Sequence, residues 1–365
     1  MERELMKRAL ELAARGEGYT NPNPIVGAVI VKDGRIIGEG WHERCGGPHA
    51  EINALNRASE DVRGADMYVT LEPCAHYGRT PPCADAIIRH GIARVFIAAN
   101  DPNRLTSGIG IRLMKEAGIQ VVTGLMEKEA LRQNEIFFKF ITTNLPFVIM
   151  KSAMTLDGKT ATVSGDSKWI TGESSRELVH RIRHRVSGIM VGVGTVLADD
   201  PALTARIKDK QTVDPTRIIV DSKARTPVDA KVMENIKENA VIVAVTDAAD
   251  PNRIRLLKEK GAVVLTVPAK NGRVDLRYLI RELGARGIDS ILLEGGSELN
   301  YSAVSDGIVD KIMLFIAPKI IGGATAKTPV GGTGIRLMEY ALHMDEVSVD
   351  RIDGDILITA YPRKE

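Results

Sequence analysis

Aromatic residues are scarce, at 4% of 365 residues, which leaves little from which to build base-stacking platforms for single-stranded nucleic acid. Charge of one sign is also lacking. A net charge of +2 supplies no global field to draw in a phosphate backbone. Glutamine occurs three times, at positions 120, 133 and 211, while 26% of the residues are charged, a balance that suggests a protein from a hot environment. Cysteine is confined to Cys45, Cys74 and Cys83. An odd number at this length is no disulfide framework and points to a reducing compartment. No apolar run approaches the roughly 18 residues a membrane helix needs. Residues 1–5 are charged rather than apolar, so no signal peptide is expected. These absences predict a cytoplasmic protein whose partners include no nucleic acid and no membrane. A hydrophobic content of 44% is that of a globular chain, and its length predicts two domains.

What is present concentrates in residues 49–83. His49-Ala50-Glu51 is followed by an expected strand and then by Pro73-Cys74, with eight residues separating Cys74 from Cys83. One imidazole and two thiolates make three ligands for a tetrahedral zinc and leave a position open, which is the catalytic rather than the structural count. Two residues is the wrong spacing for Glu51 to share a helix face with His49, so Glu51 is read as the proton carrier. A closed structural site would need a fourth ligand, for which Cys45, His76 and His42 are the candidates. The open site matches the zinc deaminases of nucleobases, whose shorter signature has two residues between the cysteines. Zinc lowers the pKa of a bound water to ~7. Glu51 would take its proton and pass it to the ring nitrogen and the leaving ammonia.

The surrounding pattern predicts a helix over 2–15, a strand over 25–31, a return strand over 35–41 across the Asp33-Gly34 turn, and a helix from His49 to Ala58. A strand over 67–71 follows. Thr80 is expected to cap a helix with Pro81 in its first position, placing Cys83 in the first turn, where the helix dipole favours a thiolate. A strand over 94–99, a helix over 108–117, a strand over 119–123 and one helix over 128–141 complete a layered α/β/α domain with a mixed sheet.

Asn21-Pro22-Asn23-Pro24-Ile25-Val26-Gly27, His49-Ala50-Glu51, Leu71-Glu72-Pro73-Cys74, His76, Gly78-Arg79-Thr80-Pro81-Pro82-Cys83 and Asp101-Pro102-Asn103 resemble the deaminase domain of the bifunctional deaminase–reductases of riboflavin biosynthesis. The resemblance implies a cytidine-deaminase-like fold and a substrate, 2,5-diamino-6-(ribosylamino)-4(3H)-pyrimidinone 5′-phosphate. It further implies a pocket lined by Asn23, His42, His76 and Arg79, with Asp101 and Asn103 near the ribose phosphate. Arg104-Leu105-Thr106-Ser107 departs from the family's usual loop.

A domain boundary is expected near residue 145, giving domains 1–145 and 146–365. In the second, strands are expected over 147–153, 188–193, 217–220, 240–245, 262–267, 290–293 and 310–317, with a terminal antiparallel pair over 346–352 and 355–361. Helices are expected over 173–184, 250–260 and 275–286, and from Ser297. Gly192-Val193-Gly194-Thr195 is half of a dinucleotide fingerprint, read as lacking the third glycine and the downstream acid of a βαβ unit. Glu294-Gly295-Gly296-Ser297 closes a buried strand and opens a helix whose free N–H groups suit a phosphate. Residues alone reach an α/β domain that binds something phosphorylated.

Lys151, Ala153, Leu156-Asp157-Gly158-Lys159, Ser167-Lys168-Trp169-Ile170-Thr171-Gly172, the run from Val191 to Arg206, and Glu294-Gly295-Gly296 are similar to the reductase half of the same family. Thr155 and Ser187-Gly188 replace commoner residues. This half implies a dihydrofolate-reductase-like α/β fold and NADPH. The cofactor contacts it implies are Ala153, Trp169, Thr195, Asp199, Ser222, and the run Gly296, Ser297, Glu298, Leu299, Asn300, Tyr301 and Ser302. Ser167, Arg183, Leu203, Arg206 and Glu294 are implied to hold the substrate, the arginines suiting a phosphate through bidentate bonds. The implied reaction reduces the ribosyl group to ribityl, giving 5-amino-6-(ribitylamino)uracil 5′-phosphate. The expected partners are the phosphorylated pyrimidine and other copies of the chain in a homo-oligomer.

Overall fold

A computed structural model describes residues 1–75, 81–103 and 107–363. They divide into two compact units, Met1–Asn144 and Leu145–Glu365. The N-terminal unit runs α1 (Glu2–Ala13), β1 (Gly27–Lys32), β2 (Arg35–Trp41), α2 (Ala50–Asn56), β3 (Asp66–Leu71), α3 (Cys83–Arg89), β4 (Arg94–Ala99), α4 (Ile109–Glu116), β5 (Gln120–Thr123), α5 (Glu127–Gln133) and α6 (Glu135–Thr143). Its five-stranded sheet has the order β2-β1-β3-β4-β5. β1 pairs antiparallel with β2 and β3, and β3, β4 and β5 are parallel. β3 and β4 are buried almost throughout, as strands covered on both faces are.

Glycine lets helices rest directly on this sheet. A β-carbon on Gly27 would stand 1.9 Å from the Ala9 carbonyl oxygen of α1, and one on Gly40 would stand 2.3 Å from the Ala54 nitrogen of α2. Because α2 follows His49 and contains Glu51, that contact sets where both residues sit.

The structure departs from the sequence pattern in several places. The helix expected over 128–141 is broken at Asn134. The buried Asn134 side chain accepts from the Ile25 N–H at 3.0 Å and donates to the Ile25 carbonyl at 2.9 Å. The chain before β1 is thereby held by side-chain bonds, and β1 begins at Gly27 rather than at 25. α3 starts at Cys83, with Pro82 in the capping position. Pro81 is therefore not its first residue, and Thr80 lies outside the described residues.

The C-terminal unit runs β6 (Phe147–Thr155), α7 (Glu173–Arg185), β7 (Gly188–Gly192), α8 (Val193–Asp199), β8 (Thr216–Val220), β9 (Val241–Val245), α9 (Pro251–Lys260), β10 (Val263–Thr266), β11 (Ala269–Lys270), β12 (Arg273–Val274), α10 (Leu276–Ala285), β13 (Ser290–Leu293), α11 (Ser297–Ser305), β14 (Lys311–Ala317), β15 (Met344–Ile352) and β16 (Asp355–Pro362). Nine strands form one sheet in the order β10-β9-β8-β7-β13-β6-β14-β16-β15. Its first seven strands are parallel, and β16 and β15 close it antiparallel. Asp250 and Asp275 cap α9 and α10 through their carboxylates, as Asp at such positions does. The hairpin β11–β12 turns on Asn271-Gly272, a two-residue signal that the sequence reading passed over. The strand expected over 188–193 ends at Gly192, and residues 193–199, given no element in the sequence, form a helix, which makes β7–α8–β8 a βαβ crossover.

No helix among the described residues is long and apolar enough to cross a membrane. Gly40→Ala should force α2 off the sheet and destabilise the N-terminal unit by about 2 kcal/mol or more. A urea titration followed by zinc release would show this as a lowered midpoint.

Candidate active sites

Three segments bring soft donor atoms together in the N-terminal unit. His49 sits at the start of α2, Cys74 follows β3, and Cys83 opens α3. His49 Nδ1 lies 3.5 Å from Cys74 Sγ and 3.3 Å from Cys83 Sγ. All three ligand atoms lie within 4.8 Å of one another. Ligands bonded to one tetrahedral zinc at ~2.0–2.3 Å stand about 3.5 Å apart, so the donor set and its spacing fit zinc. The Cys83 N–H donates to Cys74 Sγ at 3.4 Å, as suits a thiolate at that position. The hydrogen bond from Cys83 lowers the Cys74 pKa against the opposing effect of burial, and the same bond and burial raise that of Cys83. His49 is raised, chiefly by its bond to Cys74.

Glu51 is 3% exposed. Burial first, and then the Cys74 charge, push its carboxyl up to about 7. A carboxyl poised there can both take and return a proton near neutral pH. Asn23 and His42 stand beside the cluster. His42 Nδ1 donates to the Pro48 carbonyl at 3.0 Å, leaving Nε2 to accept from Asn23 Nδ2 at 3.3 Å. Burial lowers the His42 pKa, which keeps the ring neutral. The His42 and His49 rings meet edge to face at 5.4 Å. His42 is thus tied into the wall rather than joined to the ligand cluster, and Cys45 is exposed. His76 and Arg79, and the departing residues 104–106, lie outside the described residues.

Asp101 and Asn103 are held by a residue given no role above. The buried Glu72 carboxylate accepts from the backbone N–H groups of Asp101 at 3.3 Å, Gly108 at 3.1 Å and Ile111 at 3.5 Å. Asp101 Oδ1 in turn accepts from the Asn103 N–H at 2.9 Å. Glu72, two residues before Cys74, therefore ties the 101–103 loop to the end of β3. Its signal was an acid at the end of a buried strand, where a carboxylate must find donors.

In the C-terminal unit, the loops after β7, β8, β9 and β13 share the carboxyl edge of a parallel sheet, where α/β folds bind ligands. Gly296 stands in the capping position before α11, and a β-carbon there would lie 3.8 Å from Thr195 Oγ1. Gly194 has open space, while a β-carbon on Gly295 would meet Asn300 Oδ1 at 2.7 Å. Glycine alone lets the backbone run this close, and the open edge with the α11 N-terminus fits a dinucleotide phosphate. The rest of the 296–302 run is engaged within the protein. Asn300 Nδ2 donates to the Pro329 carbonyl, Tyr301 Oη bonds Thr333, Ser302 donates to the Glu298 carbonyl, and Leu299 packs against Gly192 and Gly295.

Ala153 lies half-buried on β6, beside Phe315 of β14. Trp169 is 64% exposed with the Arg176 guanidinium over its ring, and Ser167 is half-buried. Asp199 ends α8 exposed to solvent. The Ser222 hydroxyl accepts from the Val274 N–H. Leu203 is 4% exposed and belongs to an apolar cluster, so its side chain serves the core.

The expected pair of phosphate-binding arginines is not equivalent. The Arg183 fork is occupied: Nε and Nη2 donate to the two oxygens of Glu294 at 2.7 and 3.1 Å, and Nη1 to the Thr204 carbonyl at 3.1 Å. Lys151 Nζ lies 3.7 Å from the same carboxylate. Arg206 is exposed and makes no ion pair among the described residues. His180, one turn before Arg183, holds its Nδ1 3.2 Å from both the Thr204 carbonyl oxygen and the Arg206 nitrogen, donating to the first or accepting from the second according to its tautomer. His180 was legible only as a residue of a helix, and Lys151 only as a member of the reductase motif with no role of its own.

A zinc-binding deaminase region joined to a nucleotide-dependent reductase is the class these two units define. The cytidine and deoxycytidylate deaminase zinc-binding region matches residues 1–99, and the RibD C-terminal domain matches residues 146–358. The riboflavin biosynthesis protein RibD of Actinobacillus pleuropneumoniae is 50% identical over 97% of this chain and 94% of its own. That of Aquifex aeolicus is 44% identical over 98% of each. Among solved structures, Acinetobacter baumannii RibD superposes with a TM-score of 0.89 at 37% identity, covering 100% of this chain and 99% of that one. The diaminohydroxyphosphoribosylaminopyrimidine deaminase/5-amino-6-(5-phosphoribosylamino)uracil reductase of Thermotoga maritima superposes with a TM-score of 0.87 at 38% identity, covering 99% of each chain. The chain belongs to the RibD family, the bifunctional deaminase–reductases of riboflavin biosynthesis. Its cofactors are zinc and NADPH.

Two outcomes test these sites. Cys83→Ser should lower bound zinc below one ion per chain after dialysis, read by atomic emission, because the ligand set loses a soft donor. Glu294 is depressed to about 2: burial raises it, and the Arg183 and Lys151 charges more than offset that. Its contribution to stability is therefore complete above the ordinary value of 4.5 and drains away as pH falls toward 2. The stability difference between wild type and Glu294→Gln, from urea titrations, should fall by more than half between about pH 6 and about pH 3.

Proposed function

We propose that residues 1–145 deaminate 2,5-diamino-6-(ribosylamino)-4(3H)-pyrimidinone 5′-phosphate, and that residues 146–365 then reduce its ribosyl group to ribityl. The observation that carries the first step is the His49, Cys74 and Cys83 donor cluster with the buried Glu51 beside it. His49 Nδ1 and the two Sγ atoms would hold the zinc, which would supply the Lewis acidity for ionising a water near neutral pH. Glu51 takes a proton on a carboxylate oxygen and returns it to the ring nitrogen and the departing ammonia. In this reading Asn23 and the neutral His42 orient the pyrimidine, and Asp101 and Asn103, on the loop tied by Glu72, serve the ribose phosphate end.

NADPH supplies the hydride of the second step. The α11 N-terminus and the Gly194–Thr195 turn receive its phosphates. Arg183 holds Glu294 in one orientation, so that the carboxylate can accept from the sugar hydroxyls. Arg206, with its guanidinium exposed, takes the substrate phosphate. We place the enzyme in the cytoplasm and read it as a homo-oligomer; exposed apolar side chains at Leu337, Met338, Val347 and Val349, which a second copy would cover, support the oligomer.

The test supplies this pyrimidine and NADPH and follows ammonia release and nicotinamide absorbance. Glu51→Gln should lower ammonia release by roughly 10²–10⁴-fold, while NADPH oxidation with the pre-deaminated substrate proceeds at the wild-type rate. NADPH consumption without ammonia in the wild type would sink the proposed order.

A further inference from the structure

Leu203, Thr204, Ala205 and Arg206 lie between α8 and β8, and side chains of α7 and of the segment before β8 hold them. Leu203 is buried at a φ of 54°, a left-handed conformation that a branched side chain keeps only where its surroundings impose it. The Ala205 N–H donates to Asp214 Oδ1 at 2.7 Å, and the Ala205 carbonyl accepts from Thr212 Oγ1 at 2.9 Å. Asp214 is itself steadied by Asn239 Nδ2, which donates to its Oδ2 at 3.0 Å. The Thr204 carbonyl accepts from Arg183 Nη1 at 3.1 Å. The next backbone donor along the chain is the N–H of Arg206.

His180 meets that N–H. Its Nδ1 stands 3.2 Å from the Arg206 nitrogen and 3.2 Å from the Thr204 oxygen, and two observations make it the acceptor. The Thr204 carbonyl already has a donor in Arg183. Burial, and then the charges of Arg183 and Arg206, lower the His180 pKa, so the ring is neutral and can offer a lone pair. His180 and Arg183 are three positions apart on α7 and share one face. That face therefore holds the Glu294 carboxylate through Arg183 and the backbone of Arg206 through His180. The Arg206 side chain is exposed and makes no ion pair among the described residues, so its guanidinium is available on a backbone with little freedom.

We propose that His180 is a positioning residue for the reduction, and that by accepting from the Arg206 N–H it aims the Arg206 guanidinium at the substrate phosphate. This assignment rests on the reading above in which Arg206 takes that phosphate. A guanidinium bonds phosphate through paired N–H groups of fixed geometry, so a displaced backbone is felt directly in binding. On an untied loop the arginine would have to be ordered as the substrate binds, at a cost in affinity. The contribution of His180 falls on holding the phosphate end and not on hydride transfer.

The experiment follows NADPH oxidation by the full-length zinc-loaded protein with the pre-deaminated substrate. Wild type, His180→Ala, His180→Phe, His180→Asn, Arg206→Ala and the His180→Ala/Arg206→Ala double variant are compared, with thermal unfolding to confirm an intact fold. His180→Ala should raise KM about tenfold, as loss of the acceptor for a backbone N–H does, with kcat within about threefold of wild type. His180→Phe keeps a ring and removes the acceptor, and should raise KM to the same extent. His180→Asn, whose Oδ1 can stand in for Nδ1, should recover most of the loss. In the Arg206→Ala background, removing His180 should add less than about twofold, because the two residues act as one unit. A folded His180→Ala or His180→Phe with the wild-type KM, a loss confined to kcat, an asparagine variant as poor as the alanine one, or a full loss added on top of Arg206→Ala would overturn the assignment alone. Arg206→Ala with the wild-type KM would overturn the reading of Arg206 as the phosphate holder, and the assignment with it.

Discussion

The deaminase unit depends on how closely α2 can lie on its sheet. Gly27, Gly38 and Gly40 leave no side chain between the strands and the helices above them, and a single β-carbon at Gly40 would fall within 2.4 Å of two backbone atoms of α2. That contact fixes the start of α2, and with it the imidazole of His49. The two sulfurs reach the same point from different directions, one following β3 and the other opening α3. Three donors from separate segments can hold one ion only if each segment is placed to within a fraction of an ångström, and close-packed backbone achieves this with little freedom to relax. Burial then acts on Glu51, which cannot leave the ionised range of a surface carboxyl without being taken out of water.

The reductase unit rests on a different constraint. Parallel strands gather all their following loops at one edge, so residues far apart in sequence become neighbours without any local motif linking them. Glu294 after β13, Arg183 on α7 and Lys151 on β6 form one charged cluster in this way. Arg183 is engaged by a carboxylate rather than standing free, because an isolated guanidinium this deep would carry a large desolvation cost. The same logic governs residues 203–206. Arg183, Asp214, Thr212 and His180 take up their backbone polar groups, and the exposed Arg206 guanidinium takes the direction that remains.

Much of the site was legible because its chemistry is local in sequence. His49-Ala50-Glu51 and the two cysteines name a zinc deaminase from residue type and spacing alone, and Glu294-Gly295-Gly296 reads as a strand running into a phosphate-facing helix. Strands β2 and β4 were legible to the residue, β2 as the return strand of the Asp33-Gly34 turn and β4 as an apolar run after Arg94. The break at Asn134 was not, since helical periodicity continues through it. What stops the helix is a side chain reaching Ile25, 109 positions earlier. Glu72 was visible only as part of a motif, and its three backbone donors come from residues 101, 108 and 111. The hold on the Arg206 N–H comes from His180, 26 positions earlier.

The sequence by itself determined the candidate donor atoms, the candidate proton carrier, the two-part organisation and most of the run of elements, because these follow from residue chemistry and short-range periodicity. Only the tertiary structure decided which charges are paired and which face outward. It sorted Arg183 from Arg206. Ion pairing and burial are properties of what lies within a few ångströms in space, and a chain of this length brings together residues whose separation along it carries no such information.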